Sequence, residues 1–149
     1  HKPGFKFNEY ELKGIPLRIA IGPRDLENET YELARRDTLT KQTVAAEGIG
    51  DLIVKLLDEI QENLWSNALN YRSENITEVD DYKTFKEVLD QKGGFVSAHW
   101  DGTSATEDLI KEETKATIRC IPIDQKSEKG RCIYSGNPSK GRVLFAKAY

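Results

Sequence analysis

Apolar residues recur at helical spacing from Ala45 to about Asn70, at Ile49, Leu52, Ile53, Leu56, Leu57, Ile60, Leu64 and Ala68. This predicts a long amphipathic helix with those side chains inward, starting in earnest near Asp51 because Gly48 and Gly50 precede it. Its other face carries Asp51, Lys55, Asp58, Glu59 and Glu62. A shorter helix is predicted over 81–91, with Tyr82, Phe85, Val88 and Leu89 inward and Gly93-Gly94 as its stop. Ahead of both, Phe5 to Lys13 reads as a short helix ended by Gly14. In Leu17-Arg18-Ile19-Ala20-Ile21, alternation predicts a strand whose Leu17, Ile19 and Ile21 face is buried. Gly22 to Asn28 reads as turns, and Thr30 to Arg36 as the returning strand.

A second unit is predicted to follow. Phe95 to Trp100 suits a strand, and Ser104 with Glu107 fits a capping box ahead of a helix. Ala116 to Ile121 reads as a strand and Asp124 to Gly130 as a surface loop. Arg131 to Tyr134 and Arg142 to Ala146 read as a hairpin around the turn Gly136 to Gly141. In the first unit, two strands and one long helix leave sheet edges unpaired, so partner strands are expected ahead of His1 or from another chain. The opening His1-Lys2-Pro3-Gly4-Phe5 reads as the middle of a longer protein.

The chain has 149 residues, 38% hydrophobic and 32% charged, with a net charge of -3. That suits one or two folded modules, with no apolar run of the length a membrane span needs. Acidity is concentrated in the middle third, and both flanks are slightly basic, so the overall charge does not exclude RNA read through exposed bases. Two cysteines and two histidines fall short of a zinc site, and Cys120 and Cys132 read as free thiols in a reducing cytosol. No nucleophile–base pairing or phosphate loop is present, and His99 reads as a packed or locally hydrogen-bonded residue.

The first forty residues carry the candidate chemistry. Phe5, Phe7 and Tyr10 stand among Lys6, Glu9, Glu11 and Lys13, followed by Arg18 on the strand and then Arg24 and Asp25. Aromatic planes for stacking, carboxylates for base amino or imino hydrogens and guanidinium forks are the parts needed to read unstacked bases, guanine among them. The residues alone also fit a free-standing RNA-binding regulatory module or a surface for another protein. The ending Arg142 to Tyr149 has no polar tail, so Tyr149 reads as a docked end or as ordinary core closure.

The run Pro3-Gly4-Phe5-Lys6-Phe7-Asn8-Glu9-Tyr10-Glu11-Leu12-Lys13-Gly14-Ile15-Pro16-Leu17-Arg18, continued by Ile21 to Asp25 and Arg35-Arg36-Asp37, resembles the carboxy-terminal region of prolyl-tRNA synthetases of the eukaryote-like and archaeal-like type, which some bacteria also use. Thr114 to Pro122, Gly130-Arg131-Cys132 and Leu144 to Tyr149 extend the likeness over essentially the whole chain. The resemblance implies an α/β fold: an incomplete class II anticodon-binding mixed sheet with flanking helices over residues 1–72, then a small α/β module over 73–149. It implies that the full-length parent is a cytoplasmic, homodimeric ligase that joins proline to tRNA(Pro) using ATP and magnesium. This region would hold no catalytic residue, metal or cofactor of its own. By the same resemblance, Phe7, Glu11, Arg18, Arg24 and Asp25 contact the anticodon guanines, Lys6 and Lys13 support the RNA, and Glu9 belongs to local helix structure. Tyr149 would reach toward the catalytic domain. The four-cysteine zinc site common in the family's terminal module is absent here, since Trp100 to Thr106 and Cys132-Ile133-Tyr134 lack the thiols.

Overall fold

The computed structural model describes residues 2–123 and 128–148. Contacts group the chain into two units, His1–Leu69 and Asn70–Tyr149, each a mixture of helices and sheet. Among the described residues no helix is long and apolar enough to cross a membrane.

The first unit begins with helix α1 (Pro3–Leu12), opened by Pro3, whose fixed φ and missing N–H suit the first helical position. Gly14, at φ 83°, turns the chain back, and the Ile15 amide donates to the Tyr10 carbonyl at 3.1 Å. Strand β1 (Leu17–Ala20) follows, then a five-residue helix α2 (Pro23–Glu27) where the sequence suggests only turns. The Asp25 carboxylate makes this helix by accepting from the Gly22 amide at 2.7 Å. Strands β2 (Thr30–Arg35) and β3 (Lys41–Ala45) complete an antiparallel sheet in the order β1-β2-β3. β3 has no apolar alternation in Lys-Gln-Thr-Val-Ala. Its evidence is the pairing itself, with Leu33 opposite Gln42 and Tyr31 opposite Val44.

Helix α3 (Ile49–Glu74) then crosses one sheet face. Arg35 shares that face with Leu33 and reaches the Glu59 carboxylate on α3 at 3.0 Å, while Asn63 of α3 donates to Asp37 at 2.8 Å. Leu33, Leu56 and Ile60 are buried. The expected inward set is only partly inward, because Leu57, Leu64 and Ala68 are exposed. The buried face expected for β1 is also corrected: Ile19 pairs with Leu33 and shares its sheet face, yet Ile19 and Ile21 are exposed. β1 is an edge strand, and α3 covers the sheet around β2 without extending over it.

The second unit holds a mixed sheet in the order β4-β5-β9-β6, built from β4 (Ile76–Glu78), β5 (Phe95–His99), β6 (Ala116–Cys120) and β9 (Arg142–Lys147). Helices α4 (Tyr82–Gln91) and α5 (Ser104–Thr114) bury Phe85, Leu89 and Ile110 with Val96, Ala98, Val143 and Phe145 of the strands. The Phe85 and Phe145 rings meet edge to face at 5.2 Å. Asp81 caps α4 by accepting from the Thr84 amide at 2.9 Å. α5 is capped by Thr103 rather than Ser104, and Glu107 instead accepts from the Ile118 amide of β6 at 3.2 Å.

The expected terminal hairpin also differs. β9 runs between β5 and β6, whereas Gly130–Arg131 (β7) pairs with Pro138–Ser139 (β8). The apolar pattern marks each segment as extended but does not say which edge it joins. The expected loop from Asp124 falls partly outside the described residues.

Two polar clusters fasten this unit. Asp101 accepts from Ser135 at 2.6 Å, Thr106 Oγ1 at 2.8 Å and Thr103 Oγ1 at 2.9 Å, joining the loop after β5 to the loop between β7 and β8. Burial alone would raise the Asp101 pKa, but the hydrogen bonds from Ser135, Thr106 and Thr103 outweigh it and hold the carboxyl well below the usual range. Buried Arg142 donates to the Val79 carbonyl at 2.9 Å and to Glu128 at 3.0 Å, and it pairs with Asp80. His99 is buried as expected, with Nδ1 3.1 Å from Ser139 Oγ. Cys120 is exposed, Cys132 is buried, and both are free thiols.

A Cβ at Gly130 would lie 2.2 Å from His99 Nε2, a ring already held by Ser139 on its other nitrogen. Gly130→Ala is expected to cost about 1–3 kcal/mol in denaturant unfolding through overpacking. Gly4→Ala, whose Cβ meets nothing within 4 Å, should cause no loss. In the first unit, hydrogen bonding from Arg35 holds Asp37 at about 2, below its ordinary 3.8 and against the opposing effect of burial. The stabilisation is therefore fully present above 3.8 and is lost as pH falls from there through about 2. Asp37→Asn should destabilise by about 1–3 kcal/mol at neutral pH, and its gap from the parent in unfolding titrations should close over that acid window.

Candidate nucleic-acid interface

Three of the residues singled out in the sequence converge where α1 crosses β1. Helical spacing puts Pro3, Lys6, Phe7, Tyr10 and Glu11 on one face of α1, and that face borders a groove of about 610 Å³ whose other wall is Ile15 to Gly22. Arg18 projects from β1 on the face opposite Ile19. Its guanidinium carbon lies 3.8 Å from the Phe7 ring centroid, and Nη1 donates to Glu11 Oε1 at 2.7 Å. Glu11 lies one helical turn beyond Phe7, so a single guanidinium reaches both the ring and the carboxylate. The Arg18 side chain is largely buried, and its Nε has no hydrogen-bond partner among the described residues.

This arrangement offers a ring face, a carboxylate and a cation within one small area. Glu11 is half exposed and has Oε2 unengaged among the described residues, so it can accept a further N–H. A base presenting two adjacent N–H groups, as guanine does on its Watson–Crick edge, needs both carboxylate oxygens. Oε1 must then be shared with Arg18 or released by it.

The other candidates are placed differently. Lys6 borders the groove and is exposed. Lys13 lies outside the groove lining, bonded to Glu9 at 2.8 Å and 5.2 Å from the Tyr10 ring centroid. The hydrogen bond from Lys13 to Glu9 raises the Lys13 pKa and assigns Glu9 to local helix structure. The Asp25 carboxylate is engaged at the Gly22 amide, and Arg24 is exposed with no side-chain partner among the described residues. Tyr149 lies outside the described residues. Tyr10, Ile15, Ile19 and Ile21 also line the groove. The one-face spacing from Pro3 to Glu11 could have placed Tyr10 there, but the lining by Ile19 and Ile21 depends on β1 being an edge.

Among the described residues no group of three or more His, Cys, Asp or Glu side chains is placed to hold a metal ion. The Asp101 cluster draws its partners from hydroxyl and N–H groups.

Comparison with known proteins places both units. Residues 1–56 match the family described as anticodon binding domain, and residues 82–149 match the family described as prolyl-tRNA synthetase, C-terminal. The chain is 63% identical over 148 residues to a proline–tRNA ligase of Flavobacterium johnsoniae, covering 99% of this chain and 30% of that protein. It is 60% identical to one of Porphyromonas gingivalis with the same coverage. The crystal structure of prolyl-tRNA synthetase from Cryptosporidium parvum complexed with L-proline and AMP superposes with a TM-score of 0.89 at 33% identity, over 100% of this chain and 32% of that one. The chain thus spans about a third of the length of these relatives. From its two matched regions and its shared fold, the chain belongs to the prolyl-tRNA synthetase family and comprises the family's anticodon-binding and C-terminal regions.

Proposed function

We propose that this chain is the anticodon-recognising part of a ligase that joins proline to tRNA(Pro) in an ATP- and magnesium-dependent reaction. The observation that carries the reading is the Arg18 guanidinium stacked on Phe7 and paired with Glu11 at the rim of an open groove. Phe7 supplies the plane for an unstacked base, Glu11 accepts from guanine N1 and N2, and Arg18 directs its cation toward O6, N7 or phosphate. Arg24, exposed on α2, and Asp25 frame a second guanine, while Lys6 and Lys13 support the backbone. Since Asp25 already holds the start of α2, it reads a base with its other oxygen or not at all.

The remaining parts of the reading concern the longer protein: a catalytic domain in the same polypeptide, contact between it and Tyr149, a homodimer and a cytoplasmic location. The support for them is kinship with synthetases about three times as long. The relatives' catalytic activity lies in proteins of which this region is a minor part, so the 149-residue chain alone is expected to catalyse no proline-dependent pyrophosphate exchange.

Glu11→Ala in the full-length ligase should raise the KM for tRNA about 5- to 150-fold, matching about 1–3 kcal/mol for one good base contact, with KM for proline and ATP unchanged. The measurement is aminoacylation of tRNA(Pro) transcripts beside transcripts in which the anticodon guanines are replaced. Base reading predicts that the variant loses discrimination between them, and an equal loss on both would sink the assignment.

A further inference from the structure

The groove between α1 and β1 holds an aromatic ring to which the anticodon reading gives no role. Tyr10 lines the groove and is 48% exposed, whereas Phe7 is only partly exposed and has one face covered by Arg18, 3.8 Å from its centroid. Lys13 Nζ lies 5.2 Å from the Tyr10 centroid but does not border the groove, so the ammonium stands on the side of the ring away from it. The Tyr10 hydroxyl makes no hydrogen bond among the described residues, so the fold leaves the groove side of the ring and the hydroxyl unengaged. A lone exposed tyrosine is ordinary, and the spacing from Phe7 is what gives this one meaning. Tyr10 lies three residues beyond Phe7, about 4.5 Å along the helix axis, against about 3.4 Å between stacked nucleotides of one strand. Successive bases laid one on each ring are therefore parted from each other, the state in which single-stranded RNA is read. The groove, at about 610 Å³, has the size of a site for a drug-sized molecule and is larger than one base needs.

We infer that Tyr10 is a second stacking platform, carrying the base next along the strand to the guanine that Glu11 reads. The inference rests on the anticodon reading of this groove and extends it by one nucleotide. Every base has a π face, so a stack on Tyr10 accepts any base and adds affinity without choosing a sequence. Tyr10 and Glu11 thus divide the work on neighbouring positions of α1 that both line the groove. The ring holds the strand open, and the carboxylate selects.

The test uses the full-length ligase with Tyr10→Leu, which keeps an apolar side chain and removes the plane, and Tyr10→Phe, which keeps the plane and removes the hydroxyl. Tyr10 is exposed, and circular dichroism melts check that both variants fold. The aminoacylation KM is measured for tRNA(Pro) transcripts, for transcripts with the anticodon guanines replaced, and for a series with one base at a time removed from the anticodon loop. Tyr10→Leu should raise KM about 5- to 150-fold on intact and guanine-replaced transcripts alike, and Tyr10→Phe should stay within about twofold of the parent. At one abasic position, next to a position that couples to Glu11→Ala, the parent should show the same loss and Tyr10→Leu no further one, while losses at the other positions multiply. No effect of Tyr10→Leu, an equal loss in Tyr10→Phe, losses that multiply at every abasic position, or coupling at a position not next to that of Glu11 would each overturn the inference. If Glu11→Ala still loses discrimination in those cases, only the Tyr10 assignment falls. If Glu11→Ala loses equally on both kinds of transcript, the anticodon reading falls with it.

Discussion

The contact between Arg18 and Phe7 ties α1 to β1, and the geometry of the candidate interface follows from it. A guanidinium 3.8 Å from a ring centroid and bonded to Glu11 fixes the helix against the strand at two points. Stacking of a cation on an aromatic face contributes about 0.5–1 kcal/mol where exposed and more where water is excluded. The ion pair adds less, because Glu11 is half in solvent. The contact is thus strong enough to set positions and weak enough to be exchanged. A base that takes over the Phe7 face or the Glu11 oxygens replaces interactions of the same kind and size, so the site can open to a ligand without loss of the fold.

The sequence is informative where a residue's surroundings are local. α4 lies within a residue of its expected span because its apolar period, its Asp81 cap and its glycine stop all act within one short segment. Phe7, Glu11 and Arg18 could be grouped because a helix and the next strand bring them together within one short stretch of chain. What could not be read depends on distant partners. β3 is invisible in Lys-Gln-Thr-Val-Ala and exists because β2 offers an edge. β9 joins β5 and β6 instead of its sequence neighbour. The bond from the Gly22 amide to Asp25 is also not legible in the sequence, which shows only turns there. Alternation identified the two faces of β1 but could not say how far α3 would reach across the sheet.

The second unit shows a different solution to a small core. Loops and short strands meet around Asp101, His99 and Arg142. Here a carboxylate gathers hydroxyl donors from two loops and the start of α5, and a buried arginine is neutralised by Glu128 and Asp80 while a backbone carbonyl accepts a hydrogen bond from another of its N–H groups. Such clusters hold loops only when every member is satisfied, because a buried charge stripped of its partner costs about 3–5 kcal/mol. That makes these residues interdependent in a way a metal site's ligands also are, but without requiring thiolates.

Period-two alternation along β1 separates two tasks that would otherwise compete. Arg18 and Ala20 point toward α1, where charge and an aromatic ring are wanted, while Leu17 and Ile19 point toward the face α3 crosses, where apolar cover is wanted. A shift of one residue in the pairing of β1 with β2 would exchange the two sets, putting Arg18 over Leu33 and Ile19 against Phe7. The tight return at Gly14 guards against that shift. It fixes the number of residues between the last turn of α1 and the first pair of β1, so the register that buries Leu33 also delivers Arg18 to Phe7. The Arg18–Phe7 contact and the packing at Leu33 are therefore set by one register, from opposite sides of a four-residue strand.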